Sequence, residues 1–223
     1  MMERIVVAID GPAGAGKSTA SRALAERLGY VYVDTGAMYR AVGVLAAERG
    51  VAFDDDAALE RLVADLRFDL RDGGTALAVD GRDVSTAIRR ADAGELASRV
   101  STRPVVRQRL VTLQRALGAA GGVVMEGRDI GTVVFPDAPV KLYLTAAPAE
   151  RARRRASELR ARGETVDEAA LAEDLAARDR RDSGRAHAPL RPATDARVID
   201  TTYLTFAEVV DRMEEAVRGC MQR

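Results

Sequence analysis

The chain holds 223 residues, 47% hydrophobic and 30% charged, enough for one large core carrying a small appended unit. Its thirty-four basic residues balance thirty-four acidic ones, so no global positive field points to nucleic acid or to an anionic membrane. One cysteine, Cys220, excludes an internal disulfide, and one histidine, His187, leaves too few ligands for a Cys/His zinc site. Both read as incidental, Cys220 as a thiol close to the C-terminus and His187 as a polar loop residue before Ala188-Pro189. The apolar run Ile5 to Ile9 is far shorter than the roughly 18 residues of a membrane span, and no charged leader precedes it, so a cytoplasmic location is expected. Only Lys17 and Lys141 among the basic residues are lysines. In such a chain a lysine marks a place for a compact charge on a flexible stem, which a planar guanidinium cannot fill.

Arg4 to Ile9, β-branched and followed by glycine, reads as a buried parallel strand, and Ser18 to Leu28 after it has the apolar spacing of a helix. Tyr30 to Val33 reads as a second strand. Residues 66–85 then break the rhythm. Leu66-Arg67-Phe68-Asp69-Leu70 and Leu77-Ala78-Val79 alternate with period two around Asp72-Gly73, which predicts a small antiparallel meander. A helix is predicted over Pro104 to Leu117, then strands over Val123 to Met125 and Val140 to Leu144. The charged stretch from Glu150 to about Arg185, broken at Gly163, reads as a mobile helical lid. A last strand, Val198-Ile199, and a last helix, Phe206 to Val217, complete the pattern. With no repeat and no low-complexity linker, residues 1–223 form one domain. The predicted fold is α/β, a doubly wound parallel sheet of about five strands with helices on both faces, the meander inserted and the lid appended.

Between the first strand and helix lies Gly11-Pro12-Ala13-Gly14-Ala15-Gly16-Lys17-Ser18, an unbroken G-x-x-x-x-G-K-[ST] in the strand, loop and helix context that gives it meaning. Its glycines let backbone N–H groups converge on a polyphosphate, and the helix N-terminus adds partial positive charge there. Lys17 would bridge the β- and γ-phosphates and Ser18 would ligate Mg²⁺. Without a nucleotide the loop is expected to be exposed. The motif implies a nucleoside triphosphate and Mg²⁺ but leaves the fate of the phosphoryl group open. A GTP-reading switch would need a late Asn/Thr-Lys-x-Asp, and Lys141 in Val140-Lys141-Leu142-Tyr143 has no such aspartate. An RNA-binding helix at Arg151 to Arg155 is partly neutralised by Glu150 and Glu158 four residues before Arg154 and Arg162, and no aromatic interleaves it.

Two further stretches succeed predicted strands, Asp34-Thr35-Gly36-Ala37-Met38-Tyr39-Arg40 and Glu126-Gly127-Arg128-Asp129-Ile130-Gly131-Thr132. Together with the loop Asp10 to Lys17 and the late Arg178-Asp179-Arg180-Arg181-Asp182, these make the chain resemble the bacterial cytidylate kinases, P-loop nucleoside monophosphate kinases, over essentially its whole length. The resemblance implies transfer of the γ-phosphoryl group of ATP to CMP, and to dCMP, with Mg²⁺ as cofactor; a same-fold kinase with another small acceptor, such as UMP, is the alternative. It also implies that a region of about 35–103, containing the meander, binds the monophosphate, and that the lid spans about 150–185. A monomer acting on small molecules, with neither nucleic acid nor membrane as partner, is expected.

Strand ends of a doubly wound sheet face the ligand, which puts Thr35, Arg40, Glu126, Arg128 and Asp129 opposite the P-loop. Arg40 and Arg128 would grip the acceptor phosphate with help from the Thr35 hydroxyl. Glu126 would hold the Mg²⁺ water shell, indirectly. Asp129 would accept from the cytosine amine, as carboxylates do in duplex DNA. The resemblance alone adds Arg107 and Ser98 to the base pocket, and Arg178 and Asp182 to the ribose. In the lid, Arg178, Arg181, Asp182 and Arg185 are spaced to share one helix face, as are Arg151, Arg154 and Arg155, with Arg153 turned away. Facing cations repel unless an anion lies between them, and the transferring phosphoryl group is that anion. The ATP site is thus expected to comprise Gly11, Pro12, Ala13, Gly14, Ala15, Gly16, Lys17, Ser18, Thr19, Arg151 and Arg154. Lys17, Arg128, Arg154, Arg155 and Arg181 would act on the transferring group. No general base is expected, because a monophosphate, with a second pKa of about 6, is already ionised at neutral pH.

Overall fold

The computed structural model describes residues 4–222 apart from residues 75 and 186. The first strand, β1 (Val6–Asp10), runs into the glycine loop and then α1 (Lys17–Leu28). Next come β2 (Val31–Asp34), α2 (Thr35–Glu48) and α3 (Asp56–Ala64). The meander consists of β3 (Phe68–Arg71), β4 (Ala76–Val79) and the two-residue β5 (Arg82–Asp83). After it the chain forms α4 (Ala93–Val100), α5 (Pro104–Gly118) and β6 (Val123–Glu126), then one wide helical turn over Ile130–Val134. The remaining elements are β7 (Val140–Thr145), α6 (Pro148–Arg160), α7 (Glu168–Ser183), β8 (Arg197–Asp200) and α8 (Phe206–Met221).

Five parallel strands form the main sheet in the order β2-β6-β1-β7-β8, and the meander is a separate antiparallel sheet in the order β3-β4-β5. The central strands are apolar at nearly every position because both faces are covered, as a parallel sheet requires. Val7 and Ile9 of β1 pack with α1 and α8 through Leu24, Val210 and Met213. Ala8 faces the other way, against Val33, Met125, Ile130 and Val134. A third cluster ties α2, α3 and α5 to the meander through Met38, Leu59, Leu110, Leu77 and Val79. That cluster builds the acceptor side as an extension of the core.

The five strands and the meander fall where periodicity places them, with ends displaced by one or two residues. Helices α3 and α4 add to the predicted elements on either side of the meander. Asp55 starts α3 by accepting from the Ala58 N–H, satisfying one of the free donors of the first turn. A correction concerns the lid. Helix α7 ends at Ser183, so Arg185 lies beyond it rather than on a shared helix face with Arg178. Among the described residues, no helix is long and apolar enough to cross a membrane.

Candidate active site

The carboxyl ends of β1, β2 and β6 open into a cavity of about 500 Å³, bounded by the glycine loop, α4, α5 and the inner side of α7. The register pairs Ile9 with Glu126 and Asp34 with Glu126, so the ends of these three strands lie side by side. Gly11 has a backbone φ of 146°, and a Cβ there would overlap the Leu144 carbonyl oxygen, so the first turn of the loop admits only glycine.

Lys17 corrects one expectation. The loop is not laid out in solvent: the Lys17 side chain is buried and its Nζ donates to the Pro12 carbonyl oxygen at 2.7 Å, bridging the loop. Burial, reinforced by the Arg128 guanidinium, pulls its pKa down to about 7. Ser18 and Thr19, exposed at the start of α1, face the cavity. Glu126 is buried and hydrogen-bonded by the Tyr32 hydroxyl, with the Ser18 hydroxyl in reach; burial, aided by Asp34, pushes its pKa up. Hydroxyl and carboxylate oxygens in this position suit a hard cation that keeps several waters and binds substrate phosphates, which is the coordination habit of Mg²⁺. Among the described residues no group of three or more His, Cys, Asp or Glu side chains could hold a metal on its own.

On the acceptor side the cavity brings together Arg40, Arg128, Arg178 and Arg185. Arg40 donates to Asp34 at 2.7 Å, and Asp34 also caps α2 by accepting from the Ala37 N–H. Asp182, 1% exposed, is the hub for the other three: Arg185 and Arg128 donate to it, Arg128 at 3.2 Å, and the Arg178 Nε stands 3.9 Å away. Arg178 Nε is buried without a hydrogen-bond partner, and burial together with Arg128 lowers the Arg178 pKa to about 10. A guanidinium loses its proton more readily only where burial and neighbouring cations outweigh the negative charge within reach, so this corner is suited to receive an anion.

Thr35 lines the cavity as expected, but its hydroxyl donates to the Glu126 carbonyl oxygen at 2.7 Å, tying α2 to β6. At the far end, Arg107 and Asp129 form a buried pair, the Arg107 Nη1 atom has no hydrogen-bond partner, and the Ser98 hydroxyl is likewise buried and unpartnered. Tyr39 closes this end with its ring 5.9 Å from the Arg107 guanidinium carbon. Orphaned donors and a carboxylate in one pocket describe a place for a flat polar ring.

The lid arginines divide. Arg155 lines the cavity and pairs with Glu158. Arg154 donates to the carbonyl and hydroxyl oxygens of Thr201 and to Glu150, and its Nη1 lies 3.6 Å from where a Cβ on Gly16 would stand. Arg151 is buried against the glycine loop, donating to the Ala13 carbonyl at 3.2 Å and to Asp179 at 2.6 Å. Arg153 is turned outward onto Glu150. Arg181, placed by its spacing among the inner cations, is exposed and does not line the cavity; Arg185 occupies the inner position instead. The facing cations are also not held apart for want of an anion, since Asp179, Asp182 and Glu150 already lie among them. Tyr32, Asp34 and Asp10 support the site although the sequence gives none of them a role, Asp34 and Asp10 only opening two of the stretches that carry the resemblance. Asp10 accepts hydrogen bonds from the Ile130 and Gly131 N–H groups. Of the three, only Asp34 carries a signal in the sequence, as a helix-capping residue type at a strand end.

The solved structures most like the chain in fold include a gluconokinase from Sinorhizobium meliloti, 13% identical with a TM-score of 0.52 over 99% of this chain and 95% of that one. A shikimate kinase from Bacteroides thetaiotaomicron, also 13% identical with a TM-score of 0.52, covers 96% of this chain and is itself covered to 98%. These establish a shared fold. Sequence relatives reach further. The cytidylate kinase of Syntrophotalea carbinolica is 51% identical over 219 residues, 97% of this chain and 93% of the relative, and that of Geobacillus kaustophilus is 51% identical over 97% and 98%. The chain is also 48% identical, over 99% of its length, to 42% of a bifunctional pantoate ligase/cytidylate kinase from a Synechococcus species. The family model described as cytidylate kinase matches residues 7–219, and with these relatives it places the chain in the cytidylate kinase family.

Proposed function

We propose that the cleft transfers the γ-phosphoryl group of ATP to the phosphate of CMP and of dCMP, giving ADP and the nucleoside diphosphate. Family membership carries the reaction class, and the buried Arg107–Asp129 pair with its orphaned neighbour Ser98 is the observation that carries the base. The glycine loop and the α1 N-terminus receive the ATP phosphates, and Lys17 exchanges its bond to the Pro12 carbonyl for one to phosphate oxygen. Arg151 and Arg154, fixed against the loop by Ala13 and Thr201, flank the donor. Arg40, Arg128 and Arg185 receive the acceptor phosphate, Arg178 stands beside Asp182 for the acceptor's ribose, and Arg155 reaches the transferring group from the lid. A phosphate oxygen of CMP attacks the γ-phosphorus as its bond to the β,γ-bridging oxygen breaks, and the electron pair leaves with ADP. Mg²⁺, held by Ser18 and through water by Glu126, would neutralise phosphate charge. The acceptor enters already ionised, so no side chain has to take its proton.

Cytosine offers an amine to Asp129 and an N3/O2 acceptor pair to Arg107. Uracil inverts the first contact and sets a ring N–H against the guanidinium. Two unmet buried polar contacts disfavour UMP by on the order of 10²-fold in specificity constant. The ribose 2′-hydroxyl meets Asp182, which stays paired with arginines when that hydroxyl is missing, so dCMP is expected within about tenfold of CMP. A coupled ADP-release assay with CMP, dCMP and UMP at saturating ATP and Mg²⁺ tests the reading. Equal use of UMP would overturn it in favour of a less discriminating acceptor site.

A further inference from the structure

The inner end of β1 carries a carboxylate that the phosphoryl transfer does not use. Asp10 is 4% exposed, its Oδ1 accepts from the Ile130 N–H at 2.8 Å, and its Oδ2 accepts from the Gly131 N–H at 2.8 Å. Among the described residues these are its hydrogen bonds, with no guanidinium or ammonium partner. Burying a carboxylate without a bonded cation is expensive, and a backbone carbonyl or an amide side chain would hold one of the two N–H groups for less. What the carboxylate adds is two acceptors at a fixed separation, which pin two successive peptide groups.

Both ends of this clamp are rigid. Asp10 is in register with Tyr143 of β7, and Gly11 directly after it is pressed against the Leu144 carbonyl. On the other side Gly131 is sandwiched, since a Cβ there would come within 3.3 Å of the Lys141 stem and 3.5 Å of Asp10 Oδ2. Between the end of β6 and the clamped peptides lie only Gly127, Arg128 and Asp129. The two side chains expected to hold the acceptor's phosphate and base thus hang on a span anchored at one end by the sheet and at the other by Asp10.

We infer that Asp10 is a positioning residue for the acceptor, holding the Arg128-Asp129 span in the geometry that reads cytosine and grips its phosphate, by bonding the backbone just beyond it to the strand that begins the ATP cradle. The inference rests on the CMP reading of the site. Asp10 touches neither substrate and acts through the backbone alone.

The test is Asp10→Asn, which keeps shape, supplies one acceptor oxygen in place of two and turns an amide donor toward the remaining N–H. Losing one charge-assisted bond of this kind should raise KM for CMP on the order of tenfold and narrow the CMP-over-UMP preference, while the ATP dissociation constant, measured without acceptor, stays within about threefold. An unchanged KM and preference overturn the inference, as does a parallel loss of ATP affinity, which marks a general loosening of the site. If the variant does not fold, the wild type answers through its Ile130 and Gly131 amide proton resonances, with cytidine, which has no phosphate to titrate, as the ligand. Burial lifts the Asp10 carboxyl to about 6, and the groups facing it are Lys17 from α1, Asp129 from the span and Tyr143 from β7. Both amides shifting together through the Asp10 transition, with cytidine affinity falling alongside, supports the inference; amides or affinity indifferent to that transition overturn it. A wild type that turns over no CMP refutes the acceptor assignment, whereas the amide signature reports on the clamp regardless.

Discussion

In the proposed cleft, nine consecutive residues, Asp10 to Ser18, supply most of the donor half, with Arg151 and Arg154 at its flank, whereas the acceptor half gathers side chains from Arg40 to Arg185 on five separate stretches of chain. The donor half is constrained by sterics. Gly11 and Gly14 sit against Leu144 and Arg151, so side chains there fail for lack of room, and Gly16, at a φ of 84°, resists them by its backbone conformation. The acceptor half is constrained by charge, with Asp34, Asp129 and Asp182 each holding one or more arginines in place. A polyphosphate is the same in every nucleotide and can be met by invariant backbone. A base differs from its neighbours by single donors and acceptors, and only side chains can be changed one at a time to match it.

The largest effect should come from Lys17. Its ammonium is the glycine loop's own cation, so Lys17→Ala should lower kcat by on the order of 10³-fold, and Lys17→Arg should rescue little of it because the planar fork does not fit the ammonium site. Steady-state rates within threefold of wild type would dissolve the distinction between a backbone cradle and a charged one. Next in size is Asp129→Asn. Asparagine keeps a partner for Arg107, avoiding the heavier cost of an unpaired buried guanidinium, but offers an amide donor where cytosine needs an acceptor and uracil does not. The ratio of specificity constants for CMP and UMP should narrow at least about tenfold, and an unchanged ratio would remove Asp129 from base reading.

Arg185 and Arg181 sharpen the comparison inside the acceptor half. Arg185→Ala should lower kcat/KM for CMP about tenfold or more, whereas Arg181→Ala, exposed and outside the cavity, should stay within about threefold. A reversed order would mean that α7 rotates on closing by enough to bring Arg181 inward. The smallest effect is on stability. A lysine whose pKa is lowered in the folded state opposes folding most fully below that lowered value, about 7, and the penalty fades as the pH rises toward the unfolded value of 10.5. Replacing Lys17 by methionine should therefore raise the melting temperature near neutral pH and lose that advantage at alkaline pH. A gain that does not depend on pH would show that Lys17 is not desolvated in the free protein.

The donor half is legible in the sequence because a local run of residues dictates both its conformation and its chemistry. The meander is legible for the same reason, through Asp72-Gly73 and two flanking alternations. The acceptor half is legible in part from strand ends, at Thr35, Arg40, Glu126, Arg128 and Asp129, and for Ser98 and Arg107 only through resemblance. Ser98 is a plain helix serine until α4 places it in the cavity that Arg107 also lines, and nothing in its neighbourhood in the sequence announces that placement. Spacing puts Arg185 on a helix face that it does not share, because a helix-face argument assumes that the helix continues and α7 stops at Ser183, while Arg181, still inside the helix, is exposed. Asp10 escapes notice because an aspartate at a strand end looks like ordinary punctuation, and its two partners lie 120 and 121 residues away. The spacing of the lid arginines suggests cations waiting for a ligand, because a carboxylate such as Asp179 can be assigned to Arg151 only once the two helices are packed.

The turn of the meander has a consequence outside catalysis. Strand β2 is an edge of the main sheet, and edges left open invite pairing with a strand of another molecule. Gly74, at a φ of 94°, brings the turn so close to the Tyr32 carbonyl of β2 that a Cβ would overlap it. The insert therefore doubles as a stopper on the open side of the sheet. Any shortened form lacking the meander would bare β2, and should be judged first by its tendency to self-associate into extended assemblies rather than by the acceptors it can still phosphorylate.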